Sequence, residues 1–218
     1  MEKHVTPAST PTQPVRERIT AVILAGGQGK RMGRADKGLQ PFNGKPMVKH
    51  VIERIAPQVG ALILNANRNT EIYRSFGLPV FSDEPLDYSG PLAGFLTGLR
   101  HCETPWLLTV PCDTPFVSGE LVEKLGTALE KERADLAVAC LKNRESYRVQ
   151  PVFCLMHRSV KPHLHTFLEK GGRKIDDWYS TLKTAEAGFD DPHAFENINT
   201  PDELRLFQPP QTKPEKHP

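Results

Sequence analysis

The 218-residue chain has little of what marks several large classes of protein. Aromatic residues make up only 7%, and no apolar run approaches the roughly 20 residues that a membrane helix needs. The N-terminal stretch joins no basic region to an apolar one of signal-peptide length, so the expectation is a soluble, cytoplasmic chain. Neither sign of charge is in excess. The 28 Lys and Arg stand against 26 Asp and Glu, a formal net charge of +2, which offers no electrostatic footprint for nucleic acid or a membrane surface. The four cysteines, Cys102, Cys112, Cys140 and Cys154, contain no C-x-x-C pair, which removes the usual signs of a zinc or dithiol redox site. They read instead as buried free thiols.

Two familiar phosphate loops are also missing. G-x-G-x-x-G would need glycine at position 32, which is Met32, and a Walker A loop would need Ser or Thr after Lys30, which is followed by Arg31. A different glycine loop is present. The apolar run Ala21-Val22-Ile23-Leu24 suits a buried strand and leads into Ala25-Gly26-Gly27-Gln28-Gly29-Lys30-Arg31-Met32-Gly33. Glycines there let backbone N–H groups approach an anion, and Arg31 and Lys37 add fixed positive charge. The segment reads as a nucleotide-phosphate cradle.

Residues 1–18 and 208–218 are poor in anything to bury and read as a disordered leader and tail around one domain over 19–207. Within it, strands are expected over 20–24, 61–64, 79–82, 106–110 and 136–141. Helices are expected near 46–56, 70–76, 91–100 and from a Ser118 cap to about 131. This βαβ series predicts a three-layer, doubly wound, mostly parallel α/β sheet of Rossmann-like type, with ligands at the carboxyl ends of its strands. From Val152 onward the alternation is less clean, and an added antiparallel strand with capping helices is expected.

Several strand ends carry polar residues. Asn65 follows Leu62-Ile63-Leu64 and either meets a nucleobase or makes an Asx turn. Asp83 follows Val80-Phe81-Ser82 and reads as a cap or as a ligand. In Val110-Pro111-Cys112-Asp113-Thr114-Pro115 a carboxylate is held between prolines at a strand terminus, which suits Mg²⁺. Gly90-Pro91-Leu92-Ala93-Gly94 starts a helix through close packing or to approach an anion. Thr200, Pro201 and Glu203 form a capping box that leaves Asn197 and Asn199 unexplained. His163 and His165 lack a third ligand nearby in sequence.

The strings L-A-G-G-Q-G-K-R-M-G, D-K-G-L, N-G-K-P, N-A-N-R, D-Y-S-G-P-L-A-G, P-C-D-T-P and F-E-N-I-N-T-P, spread over residues 19–207, make the chain similar to the molybdenum cofactor guanylyltransferases. The resemblance implies a nucleotidyltransferase topology and Mg²⁺-dependent transfer of GMP from GTP to molybdenum-bound molybdopterin. By matching motif positions it implies GTP contacts at Leu24, Ala25, Gly26, Gly27, Lys37, Asn65, Asp83 and Asp113, with Asp113 also the metal ligand and Arg31 on the β- and γ-phosphates. It further implies transient contact with cofactor-biosynthesis proteins and apo-molybdoenzymes. The segment 144–150 matches no family string, which leaves the pterin site open. A cytidylyltransferase or other nucleotidyltransferase of the same fold, and a non-catalytic GTP-binding accessory protein, are the alternatives.

Overall fold

A computed structural model describes residues 15–25, 36–84, 90–142 and 147–198. A 3-10 turn, Val15–Arg18, leads directly into the first strand. Gly60 fits closely against that turn: a Cβ there would lie 2.7 Å from Glu17 Cα.

The first strand, β1 (Ile19–Leu24), is buried along nearly its whole length, as a central parallel strand must be. The hairpin of β2 (Pro41–Phe42) and β3 (Lys45–Pro46) turns at Asn43 and Gly44, both with positive φ, which explains the N-G dipeptide. Helix α1 (Met47–Ile55) buries Met47, Val48, Val51, Ile52 and Ile55, one face of a 3.6-residue repeat. Next come β4 (Ala61–Asn65), α2 (Thr70–Arg74), β5 (Val80–Phe81) and α3 (Pro91–His101). The chain then forms β6 (Trp106–Pro111), α4 (Leu121–Glu132), β7 (Leu136–Lys142) and β8 (Tyr147–His157). It continues through α5 (Lys161–Glu169), α6 (Ile175–Tyr179) and β9 (Thr184–Phe189). Helix α4 starts three residues after Ser118, whose hydroxyl instead accepts from the Glu120 N–H at 3.1 Å and shapes the preceding turn.

The seven main strands run in the order β5-β4-β1-β6-β8-β7-β9. All neighbours are parallel except at β8, which is antiparallel to both β6 and β7. The expected mostly parallel, three-layer sheet is therefore present. The antiparallel strand sits inside the sheet, and β9 forms a parallel edge that the sequence reading did not resolve. One apolar layer joins α1, α2 and α4 to the sheet through residues such as Val51, Tyr73, Leu125, Ile23 and Leu108. The other joins α3, α5 and α6 through Phe95, Leu164, Trp178, Val22 and Val138. All four cysteines are buried and free, as expected. Among the described residues, no helix is long and apolar enough to cross a membrane.

Candidate active site

The sheet register gathers three strand exits at one edge. Leu24 is the Cα partner of Asn65 on one side and of Pro111 on the other. The ladders extend one step beyond the strands: Ala25 N–H donates to Asn65 O at 2.8 Å, and Cys112 N–H donates to Leu24 O at 3.1 Å. The chain runs from β1 outward to β4 and β5, then crosses to the opposite side of β1 for β6, so a topological switch lies between β1 and β6. That crevice is where open α/β sheets bind ligands.

On the β6 side, Asp113 leaves the strand with a side chain only 12% exposed, and Lys37 Nζ donates to its Oδ2 at 3.1 Å. Lys37 arrives from the short 3-10 turn Lys37–Leu39. Across the same loop, Asp113 O accepts from Ile198 N–H at 3.1 Å, which brings Asn197 and its neighbours to this edge. Cys112, fully enclosed between these groups, takes no part as a nucleophile. Burial, with the nearby Asp113 and Asp36 carboxylates, pushes its thiol well above the usual range and keeps it neutral.

On the β4 side, Asp83 is buried and its carboxylate is gripped from three directions. Thr97 Oγ1 donates to Oδ1 at 2.7 Å, Asn65 Nδ2 to Oδ1 at 2.8 Å, and Asn67 Nδ2 to Oδ2 at 2.7 Å. Asn67 Oδ1 in return accepts from the Asp83 N–H at 2.8 Å. Asn65 Nδ2 also donates to Phe81 O at 3.2 Å, so the donor half of its amide is committed to the protein. Helix α3 is seated directly against this arrangement. A Cβ on Gly94 would fall 2.6 Å from Asn65 Oδ1, and one on Gly98, a turn later, 2.8 Å from Val22 Cγ1. Close packing thus accounts for Gly94 in the G-P-L-A-G string.

Lys37, Asp113, Leu24, Ala25, Asn65 and Asp83 therefore come together along one sheet edge. Gly26, Gly27 and Arg31, together with Asn199 and the Thr200 capping box, lie outside the described residues. His163 does not reach this edge: it accepts from Trp178 Nε1 at 3.0 Å through Nδ1. His165 pairs with Glu169. Sequence reasoning missed Asn67, Thr97, Asp36 and Tyr73. Asn67 alone left a signal, its alternate spacing from Asn65.

The donor set at Asp113 fits a hard divalent cation. Among the described residues no hydrogen bond reaches Asp113 Oδ1, and no three His, Cys, Asp or Glu side chains cluster as a complete metal cage. A cation with one carboxylate here would take its remaining oxygens from phosphate and water, which is the habit of Mg²⁺.

The switch-point crevice, with a lysine and a carboxylate facing each other where β1 ends, fits a nucleotidyltransferase. A profile of the MobA-like NTP transferase domain matches residues 21–184, and the chain belongs to that family. It is 53% identical over 194 residues to the molybdenum cofactor guanylyltransferase of Cupriavidus necator, covering 88% of this chain and 98% of that protein. Among solved structures, molybdopterin-guanine dinucleotide biosynthesis protein A from Archaeoglobus fulgidus superposes with a TM-score of 0.69 at 25% identity, covering 87% of this chain and 96% of that one. The 4-diphosphocytidyl-2C-methyl-D-erythritol synthase of Anaerococcus prevotii gives the same TM-score at 14% identity, covering 87% and 96%, and shares the fold.

Proposed function

We propose that this enzyme transfers GMP from GTP to the terminal phosphate of molybdenum-bound molybdopterin, yielding molybdopterin guanine dinucleotide and pyrophosphate. The observation that carries this reading is the Lys37–Asp113 pair at the β1/β6 switch point, beside the exit of β1 into the glycine loop. The curated relatives' name supports guanine as the base and the molybdenum cofactor as acceptor.

In the reaction a terminal phosphate oxygen of the pterin attacks the α-phosphorus of GTP. The new P–O bond forms as the bond to pyrophosphate breaks, and the leaving group carries away the electron pair. The acceptor phosphate is itself the nucleophile, so the protein's task is alignment and charge neutralisation. Lys37 supplies a cation within reach of the triphosphate, and backbone N–H contacts are assigned to the glycine-rich sequence that follows Ala25. Arg31 supports the β- and γ-phosphates. Mg²⁺ held at Asp113 would offset charge on the triphosphate and the departing pyrophosphate. The buried Asn65–Asp83 pair shapes the side of the crevice assigned to the base. The substrates are two small anionic molecules, and the enzyme works in the cytoplasm in transient contact with cofactor-biosynthesis proteins and the apo-molybdoenzymes that receive the product.

Thermal melting with Mg²⁺ and each of GTP, CTP, ATP and UTP tests the base assignment. A ligand that binds only the native state stabilises it by about 2.7 kcal/mol at a hundred times its Kd. GTP should give the largest shift. An equal or larger shift with CTP would move the protein to the cytidylyl branch, and GTP binding without pyrophosphate release in the presence of the pterin would make it an accessory protein.

A further inference from the structure

A third buried carboxylate stands beside the catalytic edge, and the reaction above does not use it. Asp36 immediately precedes Lys37, and its side chain is only 4% exposed. Tyr73, fully buried in α2, donates its hydroxyl to Asp36 Oδ1 at 2.6 Å. Asn69 Nδ2 donates to Oδ2 at 3.0 Å, and the Arg68 guanidinium stands 3.7 Å from the same oxygen. A buried charge is costly unless it is paired and hydrogen-bonded, so three side chains committed to one anchor call for a purpose.

The backbone around the anchor supplies one. Asp36 O accepts from Leu39 N–H at 3.2 Å and from Gln40 Nε2 at 3.3 Å, closing the 3-10 turn that carries Lys37. Gly38 is wedged between the two walls of the site: a Cβ there would lie 2.6 Å from Tyr73 Oη and 3.0 Å from Cys112 Sγ. The turn is thus pinned to α2 at Asp36 and pressed against the Asp113 loop at Gly38. Between those points the long, flexible Lys37 side chain leaves the turn and reaches Asp113. Asn69 has φ of 53°, a left-handed conformation in which asparagine is at home, and this aims its amide at the anchor.

We infer that Asp36, gripped by Tyr73 and Asn69, is the positioning device for Lys37, and that the stretch from the end of β4 into α2 sets two carboxylates at once. Its first half, Asn65 and Asn67, orders Asp83, and its second half, Arg68, Asn69 and Tyr73, orders Asp36. This deepens the guanylyltransferase reading and, for its kinetic arm, rests on it. Lys37 neutralises charge that grows as pyrophosphate departs, so loosening it should weaken the transition state more than the ground state.

Tyr73→Phe removes one donor and keeps the ring, while Asn69→Gly removes the other and keeps the positive φ. Arg74→Ala, on the exposed side of α2, is the control. Both variants should lose about tenfold or more in kcat with KM for GTP within about threefold of wild type, since small misplacements of a catalytic group cost rate. Without any nucleotide, acetylation of Lys37 by N-acetoxysuccinimide, followed by peptide mass analysis, should run at least about threefold faster in both than in wild type or the control, because a loosened ammonium spends less time paired. Unchanged labelling in both variants overturns the inference, whatever the kinetics. If the wild type transferred no GMP at all, faster labelling would still uphold the positioning role while the guanylyltransferase reading fell.

Discussion

Replacing Gly94 by alanine sets two effects of known sign against each other. Alanine is favoured over glycine inside a helix by about 0.8–1.0 kcal/mol, and Gly94 lies in the first turns of α3. Against this, the new methyl would stand 2.6 Å from Asn65 Oδ1 and 2.7 Å from Leu24 Cδ2. The leucine methyl can swing aside. Asn65 cannot, because its amide nitrogen is tied to Asp83 at 2.8 Å and to Phe81 O at 3.2 Å within a buried site. Overpacking costs about 1–3 kcal/mol, and against a partner that cannot yield about 2–3, so the net effect should be a loss of about 1–2 kcal/mol, or roughly 2–8 °C in Tm for a domain of this size. Gly126 in α4 provides the comparison, since nothing lies within 4 Å of a Cβ placed there. Gly126→Ala should therefore raise Tm while Gly94→Ala lowers it, and only Gly94→Ala should also shrink the thermal shift produced by GTP. If both raised Tm by the same increment, the close seating of α3 on Asn65 would be refuted.

Asp113→Asn keeps the size of the side chain and removes its charge. Turnover should fall at least about a hundredfold, read as pyrophosphate release with GTP, Mg²⁺ and the pterin. Near wild-type pyrophosphate release with unchanged Mg²⁺ dependence would make Asp113 a loop residue. Alkali should weaken the fold by a separate route. Burial pushes the Cys154 thiol up to about 12 from an ordinary value of 9.0, and Cys112 and Tyr179 shift the same way. The native state holds these protons while the unfolded chain releases them above about pH 9, so stability is lost as pH climbs from 9 toward 12. The urea midpoint should be lower at pH 10.5 than at pH 8, and rapid reaction of native Cys154 with a disulfide reagent at pH 9 would contradict its burial.

The parts of the site that could be read from sequence are those where an apolar run ends on a polar residue. Asp83 and Asp113 stand out in that way because strand exits are local features, and Lys37 stands out as a fixed charge just after the glycine-rich segment. Their supports do not. Thr97 looks like any hydroxyl on a helix, yet it reaches Asp83 across 14 residues of chain, and Tyr73 reaches Asp36 across 37. Asn65 was legible as a polar strand end, but its Asp83 partner, 18 residues on, is fixed only by the parallel pairing of β4 and β5. The same limit governs the late strands. Pro151 and the irregular register near Val138 and Ala139 break the pattern of β8. The small residues of Thr184–Phe189 hide β9, although alternate positions there are buried.

The placement of β8 has a consequence for how the chain is made. By residue 111 the nascent polypeptide holds β1, β4, β5 and β6, enough for half the sheet, but the outer edge of β6 has as its eventual neighbour a strand that begins at residue 147. At 5–20 residues per second that gap lasts roughly two to seven seconds. During it, the apolar strand β7 emerges first and is the nearest available partner for the exposed edge, although the finished sheet keeps the two apart. Synthesis therefore passes through a window in which the wrong ladder is available before the right one exists. Slowing translation across residues 112–146 should lengthen that window and lower the yield of soluble protein, whereas slowing it after residue 157 should not.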